Sequence, residues 1–154
     1  MASIERILVP TDFSPSSYAA LGYAVSLGAR LGAAIEVLGV YDAVEGVAPD
    51  AQVVVAGGAT RPLVQVLRER AEADMERFVS DVPGRTSVSM RTRIASGKPA
   101  DVICQIADQD RFDLIVMGTH GRTGIARVVV GSVAEKVVRD AACPVLTVRV
   151  RDSK

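Results

Sequence analysis

The sequence predicts an α/β protein with an open, five-stranded parallel sheet and helices on both of its faces. Short apolar runs typical of buried strands alternate with longer segments whose apolar residues have helical spacing, and a last strand closes the series. Such strand–helix alternation favours a parallel sheet with right-handed crossovers. The length of 154 residues fits a single domain that spans residues 1–154.

The first helix and its two flanking strands are predicted from clear local signals. Residues 7–9 (ILV) form a continuous apolar run, typical of a central strand. Ser14 is a suitable N-cap for the following helix, with Pro15 at its first position and Gly32 as its stop. Residues 34–40 (AIEVLGV) are predicted to form the second strand.

The segment 43–60 is harder to interpret, because a connection of this length without structure is uncommon in a compact domain. Val53 to Val55 fit either a short strand or an apolar contact under a lid, and both interpretations stay open. Thr60 is predicted to cap a helix over 61–79. The opposite charges four residues apart on this helix are Arg68 with Glu72 and Arg70 with Asp74.

The second half of the chain continues the alternation. Residues 88–94 are predicted to form an outer strand, and Pro99 begins the next helix. The fourth strand is expected over 113–117, and the last helix has its apolar face within 133–141. The fifth strand, 145–150, is expected at an edge of the sheet, where pairing with a second copy of the chain would protect it.

Composition favours neither nucleic acid nor a membrane as a partner. Eighteen basic residues balance eighteen acidic ones, and there is no Trp. The sequence shows no signal-peptide pattern and no apolar run of membrane-spanning length, so we expect a soluble cytoplasmic protein. Cys104 and Cys143 form no CxxC motif and are predicted to be buried, free thiols.

A glycine-rich stretch between the fourth strand and the last helix indicates a phosphate site. Its glycines are Gly118, Gly121, Gly124 and Gly131, and the helix begins at Ser132, which is a suitable cap. Glycines let backbone N–H groups approach an anion, and a helix N-terminus adds a favourable dipole. Asp12 follows the first strand, and it would face the same crevice if the first and fourth strands are neighbours.

The spacing of these glycines separates this stretch from two common phosphate loops. Neither GxxxxGK[ST] nor GxGxxG is present. The pattern G-x2-G-x9-G-S, from Gly118 to Ser132, resembles the nucleotide signature of the universal stress protein family. Three longer segments also resemble sequences of that family: VMGTHGRTGIARVVVGSVAEKVVRDAACPVLTVR, ILVPTDFSPSSYAAL and GKPADVI. The resemblance thus covers nearly the whole chain.

The resemblance implies a Rossmann-like sheet of order 3-2-1-4-5, like that of adenine nucleotide alpha hydrolases. It also implies a homodimer paired through the last strand and a site for ATP, with or without Mg²⁺. The residues implied at the adenine and ribose end are Pro10, Thr11, Asp12 and Val40. Those implied along the ribose and phosphates are Met117, Gly118, Gly121, Arg122, Gly131, Ser132 and Val133. Phe13 stands where many members of that family have glycine.

Structural roles are open for several of these residues. Asp12 could cap a turn, the glycines could serve turns alone, and Arg122 and Arg127 could be surface charges. His120 lacks the partners that catalysis or metal binding requires, so we expect a loop residue. The sequence therefore predicts a dimeric ATP-binding regulator or sensor in stress adaptation. The alternatives are a slow ATPase or nucleotide-transfer enzyme, and a dimeric interaction module without a ligand.

Overall fold

The computed structural model describes residues 3–42, 47–119 and 130–150. The helices and strands in chain order are β1 (Arg6–Thr11), α1 (Pro15–Leu31), β2 (Ala34–Tyr41), β3 (Gln52–Val54), β4 (Thr60–Pro62), α2 (Leu63–Ser80), a 3-10 turn (Arg85–Ser87), β5 (Met90–Ser96), α3 (Pro99–Gln109), β6 (Leu114–Gly118), α4 (Ser132–Asp140) and β7 (Val145–Val148). In this described part of the chain, no helix combines the length and the apolar character needed to cross a membrane.

Five parallel strands form the main sheet in the order β5-β2-β1-β6-β7. The strands β3 and β4 pair antiparallel in a separate hairpin. Numbered without that hairpin, the main sheet has the order 3-2-1-4-5, so the predicted fold class is confirmed. Both β5 and β7 lie at edges, as their sequences predicted.

The two faces of the sheet bury separate apolar clusters. Ile7 and Val9 of β1 point into a cluster shared with α1 and α2, while Leu8 points into a cluster shared with α3 and α4. All three side chains are fully buried. A strand covered on both faces needs apolar residues at every position, which explains the continuous apolar run at the start of the chain.

Helix α1 begins and ends as predicted. Ser14 is its N-cap and accepts a hydrogen bond from the Ser17 N–H group, and Pro15 occupies the first position. Gly32 ends the helix with φ of 71°, in the left-handed region that glycine adopts without a steric penalty. These short-range signals define the helix well, because both caps depend on residues close in sequence.

The start of α2 differs from the prediction. Thr60 does not cap this helix, because it belongs to β4 and pairs with Val54 of β3. The helix begins two residues beyond the predicted start, after Pro62 at the N-cap position. The hairpin answers the open question about Val53 in favour of a short strand, which ends at Val54. Residues 43–46 of this connection lie outside the described residues.

The solvated face of α2 has the predicted ion pairs. Arg68 Nε lies 2.9 Å from Glu72 Oε1, and Arg70 Nε lies 3.9 Å from Asp74 Oδ2. The two arginine side chains are largely exposed and that of Glu72 is half exposed, whereas that of Asp74 is 24% exposed. Such exposed pairs contribute little to stability, so burial of the opposite, apolar face is what holds α2 on the sheet.

Candidate functional site

The candidate site lies at a split between two central strands, β1 and β6. β1 pairs with β2 as far as Thr11, whereas its pairing with β6 covers only Ile7 with Leu114 and Leu8 with Ile115. Beyond these pairs the two strands no longer share a ladder. Pro10 lies on this stretch of β1, where its missing N–H group does not interrupt pairing with β6. In open α/β sheets, ligands bind at such a point beyond the carboxyl ends of the strands.

A cavity of about 290 Å³ occupies this split. It lies between the first turns of α3 and α4 and above the ends of β1, β2 and β6. The residues named from the sequence that line it are Pro10, Thr11, Asp12, Val40, Met117, Gly118, Gly131, Ser132 and Val133. Residues from distant parts of the chain thus meet around one space.

Other predicted site residues fall in the segment 120–129, outside the described residues. They are His120, Gly121, Arg122, Gly124 and Arg127. Their contribution to the site therefore stays a prediction.

Sequence reasoning missed further residues that line the cavity. They are Ser17, Leu38, Pro99, Ile103, Thr119 and Ala134. Pro99 marks the N-terminus of α3, which the sequence located correctly, so a search of helix starts at strand ends would have found it. Leu38 and Ile103 have no such signal, because core and cavity positions share the same apolar pattern.

One wall of the cavity is apolar. Leu38 lies on β2 and Met117 on β6, on either side of β1. Ile103 of α3 and Ala134 of α4 complete this wall. All four belong to the buried cluster between the sheet and these helices. Val40, at the end of β2, is half-buried and continues this wall outwards. A flat, apolar ring such as a nucleobase fits a slot of this chemistry.

Another part of the cavity presents backbone and hydroxyl groups. The first turn of α4 contributes Ser132, Val133 and Ala134, whose N–H groups precede the first intrahelical bond from Glu135 N–H to the Gly131 carbonyl. Ser132 is therefore the first helical residue, and the prediction that it caps the helix is wrong, because Gly131 holds the cap position. These N–H groups have no acceptor within the helix, and together with the helix dipole they favour an anion here.

Of the two roles left open for Asp12, the structure shows the turn bond, and contact with a ligand stays a prediction. Its Oδ1 atom accepts a hydrogen bond from the Ser14 N–H group at 3.0 Å, which stabilises the turn between β1 and α1. The same half-buried side chain lines the cavity. The turn fixes the direction of the carboxylate, and a carboxylate accepts hydrogen bonds from hydroxyl or amino groups of a ligand.

Gly118 is required by packing, whether or not a ligand is bound. A Cβ atom at this position would lie 2.8 Å from the carbonyl carbon of Ser16 and 2.9 Å from its oxygen. These are backbone atoms of the first turn of α1, which cannot move away as a flexible side chain would. The absence of a side chain lets β6 approach α1 closely.

The titratable groups of the described residues do not form a metal centre. No group of three or more His, Cys, Asp or Glu side chains in this part of the chain could hold a metal ion. Cys104 and Cys143 are free thiols as predicted, but both are half-buried rather than buried. Burial raises the pKa of each thiol, which keeps both largely protonated near neutral pH.

The chain is similar in sequence to proteins of one family. The model of the universal stress protein family matches residues 3–149. Universal stress protein MJ0531 of Methanocaldococcus jannaschii is 32% identical over 145 residues, which cover 94% of this chain and 82% of that protein. Universal stress protein MJ0577 of the same organism is 28% identical over 158 residues, with 97% of each chain covered.

Solved structures show the same architecture. The universal stress protein UspA from Lactobacillus plantarum is 30% identical and has a TM-score of 0.72, with 97% of this chain and 100% of that chain covered. Two further structures hold nucleotides. A universal stress protein in complex with cAMP has a TM-score of 0.61 at 24% identity and covers 96% of this chain and 98% of its own. One from Archaeoglobus fulgidus in complex with dAMP has a TM-score of 0.63 at 20% identity, covering 95% and 98%.

Proposed function

Since this chain belongs to the universal stress protein family, we propose that it binds an adenine nucleotide in the cavity between α3 and α4. The proposed ligand is ATP, with or without Mg²⁺, and the proposed role is that of a nucleotide-dependent regulator or sensor in stress adaptation. Binding would favour one conformation or partner of the protein by making better contacts with that state.

The observation that carries the proposal is the chemistry of the cavity. An apolar wall formed by Leu38, Ile103 and Met117 is of the kind that accepts an adenine ring, and the first turn of α4 suits a phosphate. Asp12 lies beside this space, where it could accept hydrogen bonds from ribose or base. The cAMP and dAMP complexes of related folds hold ligands of the same class, which supports an adenine nucleotide here.

The retained G-x2-G-x9-G-S spacing supports a ligand with several phosphates. Glycine positions leave room for close contact between backbone N–H groups and phosphate oxygens. A nucleoside monophosphate would use only part of such a segment. We therefore place the remaining phosphates of ATP along Gly121, Arg122, Gly131, Ser132 and Val133.

Equilibrium dialysis with ATP tests the proposal. We expect binding by the wild-type protein and at least a tenfold weaker affinity for the double variant Gly121→Val with Ser132→Ala, because the valine side chain would block close approach of a phosphate to the backbone and the alanine lacks a hydroxyl group that would contact it. The variant Gly22→Ala, on α1, serves as a control for glycine replacement, because a Cβ atom there would meet nothing within 4 Å. No binding by the wild type, or equal binding by the double variant, would refute the proposal.

The same samples test the enzyme alternative. Analysis of released and protein-bound ADP over time separates binding from turnover, and mass spectrometry of protein purified without added ligand identifies any retained nucleotide. Efficient phosphoryl transfer needs a positioned nucleophile and charge stabilisation. We expect retained adenine nucleotide and no multiple-turnover release of ADP; sustained release would assign the chain to the ATPase alternative instead.

A further inference from the structure

A network of hydroxyl groups centred on Ser17 underlies the turn that carries Asp12. Ser17 Oγ donates a hydrogen bond to the Ser14 carbonyl oxygen at 2.9 Å, and it accepts hydrogen bonds from Thr11 Oγ1 at 3.0 Å and from Ser14 Oγ at 3.3 Å. Ser17, Ser14 and Thr11 are all buried. Each hydroxyl hydrogen of this network therefore has an acceptor inside the protein.

The network continues into the backbone of the turn. Thr11 Oγ1 accepts a hydrogen bond from the Phe13 N–H group at 2.9 Å, and Ser14 Oγ accepts one from the Ser17 N–H group at 3.2 Å. Phe13 has φ of 64°, in the left-handed region that residues with a side chain seldom adopt. Such a conformation persists where the surroundings hold it. Hydrogen bonds on both sides of Phe13 provide that hold.

Ser17 has no remaining capacity for a ligand. A serine hydroxyl has one donor hydrogen and two acceptor lone pairs. The bonds to Ser14 and Thr11 use all three. Although Ser17 lines the cavity, direct contact with a ligand would therefore require it to break a bond within the protein.

We propose that Ser17 is a positioning residue for the candidate site, which acts through Thr11 and Ser14 to hold the turn that directs the Asp12 carboxylate into the cavity. This inference rests on the proposed nucleotide function, in which Asp12 accepts hydrogen bonds from ribose or base. Replacement of Ser17 by alanine leaves the buried hydroxyls of Thr11 and Ser14 without this acceptor, so the turn has to rearrange.

A double-mutant cycle with ATP separates positioning from direct contact. We expect Ser17→Ala to weaken ATP binding about tenfold in the wild-type background and to have little further effect when Asp12 is already alanine. Ser26→Ala is the matched control, because Ser26 is an exposed residue of the same helix whose hydroxyl donates a hydrogen bond to the Gly22 carbonyl oxygen. Equal affinity of Ser17→Ala and wild type, or additive losses in the cycle, would overturn the inference.

A second measurement needs no ligand. Amide hydrogen exchange at Phe13 and Ser14 is expected to be faster in Ser17→Ala than in the wild type and unchanged in Ser26→Ala. Ser17→Cys, which retains the shape with a weaker hydrogen-bonding group, is expected to have an intermediate effect and replaces the alanine variant if that variant does not fold. Unchanged exchange would overturn the inference. Faster exchange with no ATP binding by the wild type would instead refute the proposed function.

Discussion

Gly118 meets two requirements at the scale of single residues, close packing on α1 and access to the cavity. A Cβ atom here would collide with the Ser16 backbone, whereas one at Gly22 of α1 would meet nothing within 4 Å. The two glycines therefore form a matched pair, one constrained by tertiary packing and one not. A glycine inside a helix without such a constraint weakens the helix relative to alanine.

We predict opposite effects of alanine at these two glycines. Gly118→Ala should lower the free energy of unfolding by about 1–3 kcal/mol, because backbone atoms have to shift to admit the methyl group. Gly22→Ala should raise it by roughly 0.5–1 kcal/mol. Urea unfolding followed by circular dichroism measures both values. A Gly118→Ala protein as stable as the wild type would contradict the packing role.

Residue roles were predictable from the sequence where they depend on near neighbours. The Ser14 cap is an example, because its partner is Ser17, three residues away. Asp12 was predicted either to cap a turn or to contact a ligand; the structure shows the turn bond and a place on the cavity, and contact with a ligand stays a prediction. The Ser17 network was not predicted, since it needs the end of β1 to lie against the first turn of α1.

At the scale of helices and strands, an ion pair joins α3 and α4, the two helices beside the cavity. Lys136 Nζ of α4 donates a hydrogen bond to Asp101 Oδ1 in the first turn of α3. This bond lowers the pKa of the Asp101 carboxyl and raises that of the Lys136 ammonium group. Both side chains are substantially exposed, so the solvent screens the pair.

The sign of each pKa shift predicts the pH dependence of this contribution. Because the pKa of Asp101 is lowered by folding, the stabilisation is present above about pH 4 and is lost as the pH falls through the folded pKa. Because that of Lys136 is raised, its stabilisation is present below about pH 10 and is lost as the pH rises through the folded value.

We therefore predict a small decrease in Tm for Lys136→Met at pH 7 that disappears at acidic pH below the Asp101 transition. Lys136→Arg retains the charge and is the control. Exchanging the charges, with Asp101→Lys and Lys136→Asp together, should recover most of the loss. Thermal unfolding measured across the pH range checks this, and a loss of equal size in acid would show that the pair is not its source.

Element order was predictable because buried parallel strands and amphipathic helices have different apolar patterns. The hairpin of β3 and β4 was not, since strands of three residues are too short to show alternation. Its turn contains Gly57 and Gly58 with φ of 91° and 80°, and its pairing draws Thr60 into a strand instead of a helix cap. Pairing within the hairpin thus outweighed the preference of Thr60 for a helix N-cap position.

At the scale of the whole molecule, periodicity alone could not establish the order of the strands. That order came from the resemblance to a family, and the structure confirms it. The location of the cavity then follows from topology, because β1 leaves β6 beyond Leu8 and the helices that follow lie on opposite faces. For residues 120–129 of the candidate phosphate loop, contact with a ligand remains a prediction from the sequence.

We predict that the proposed homodimer uses the outer edge of β7. The carbonyl groups of Pro144 and Val148 accept hydrogen bonds from Ile115 N–H and Thr119 N–H on the β6 side. Because backbone groups of successive residues in a strand alternate in direction, those of Thr147 point to the outer edge. Thr147→Pro should therefore remove a donor from a dimer interface while β7 stays paired with β6.

Light scattering during size-exclusion chromatography measures this effect. We expect a dimer for the wild type and for Thr147→Val, which keeps the backbone donor, and a shift towards a folded monomer for Thr147→Pro. A wild-type monomer, or a Thr147→Pro dimer of undiminished stability, would contradict pairing through β7.

The central claim is that the cavity between α3 and α4 holds an adenine nucleotide, and photo-crosslinking with 8-azido-ATP tests it most directly. We predict that peptide mapping finds the label near the apolar wall, at the end of β2 around Val40 or in the first turns of α3 around Pro99. Excess ATP is expected to suppress this labelling. A label that ATP does not suppress, or one on the separate groove around Tyr18 and Phe78, would contradict the claim.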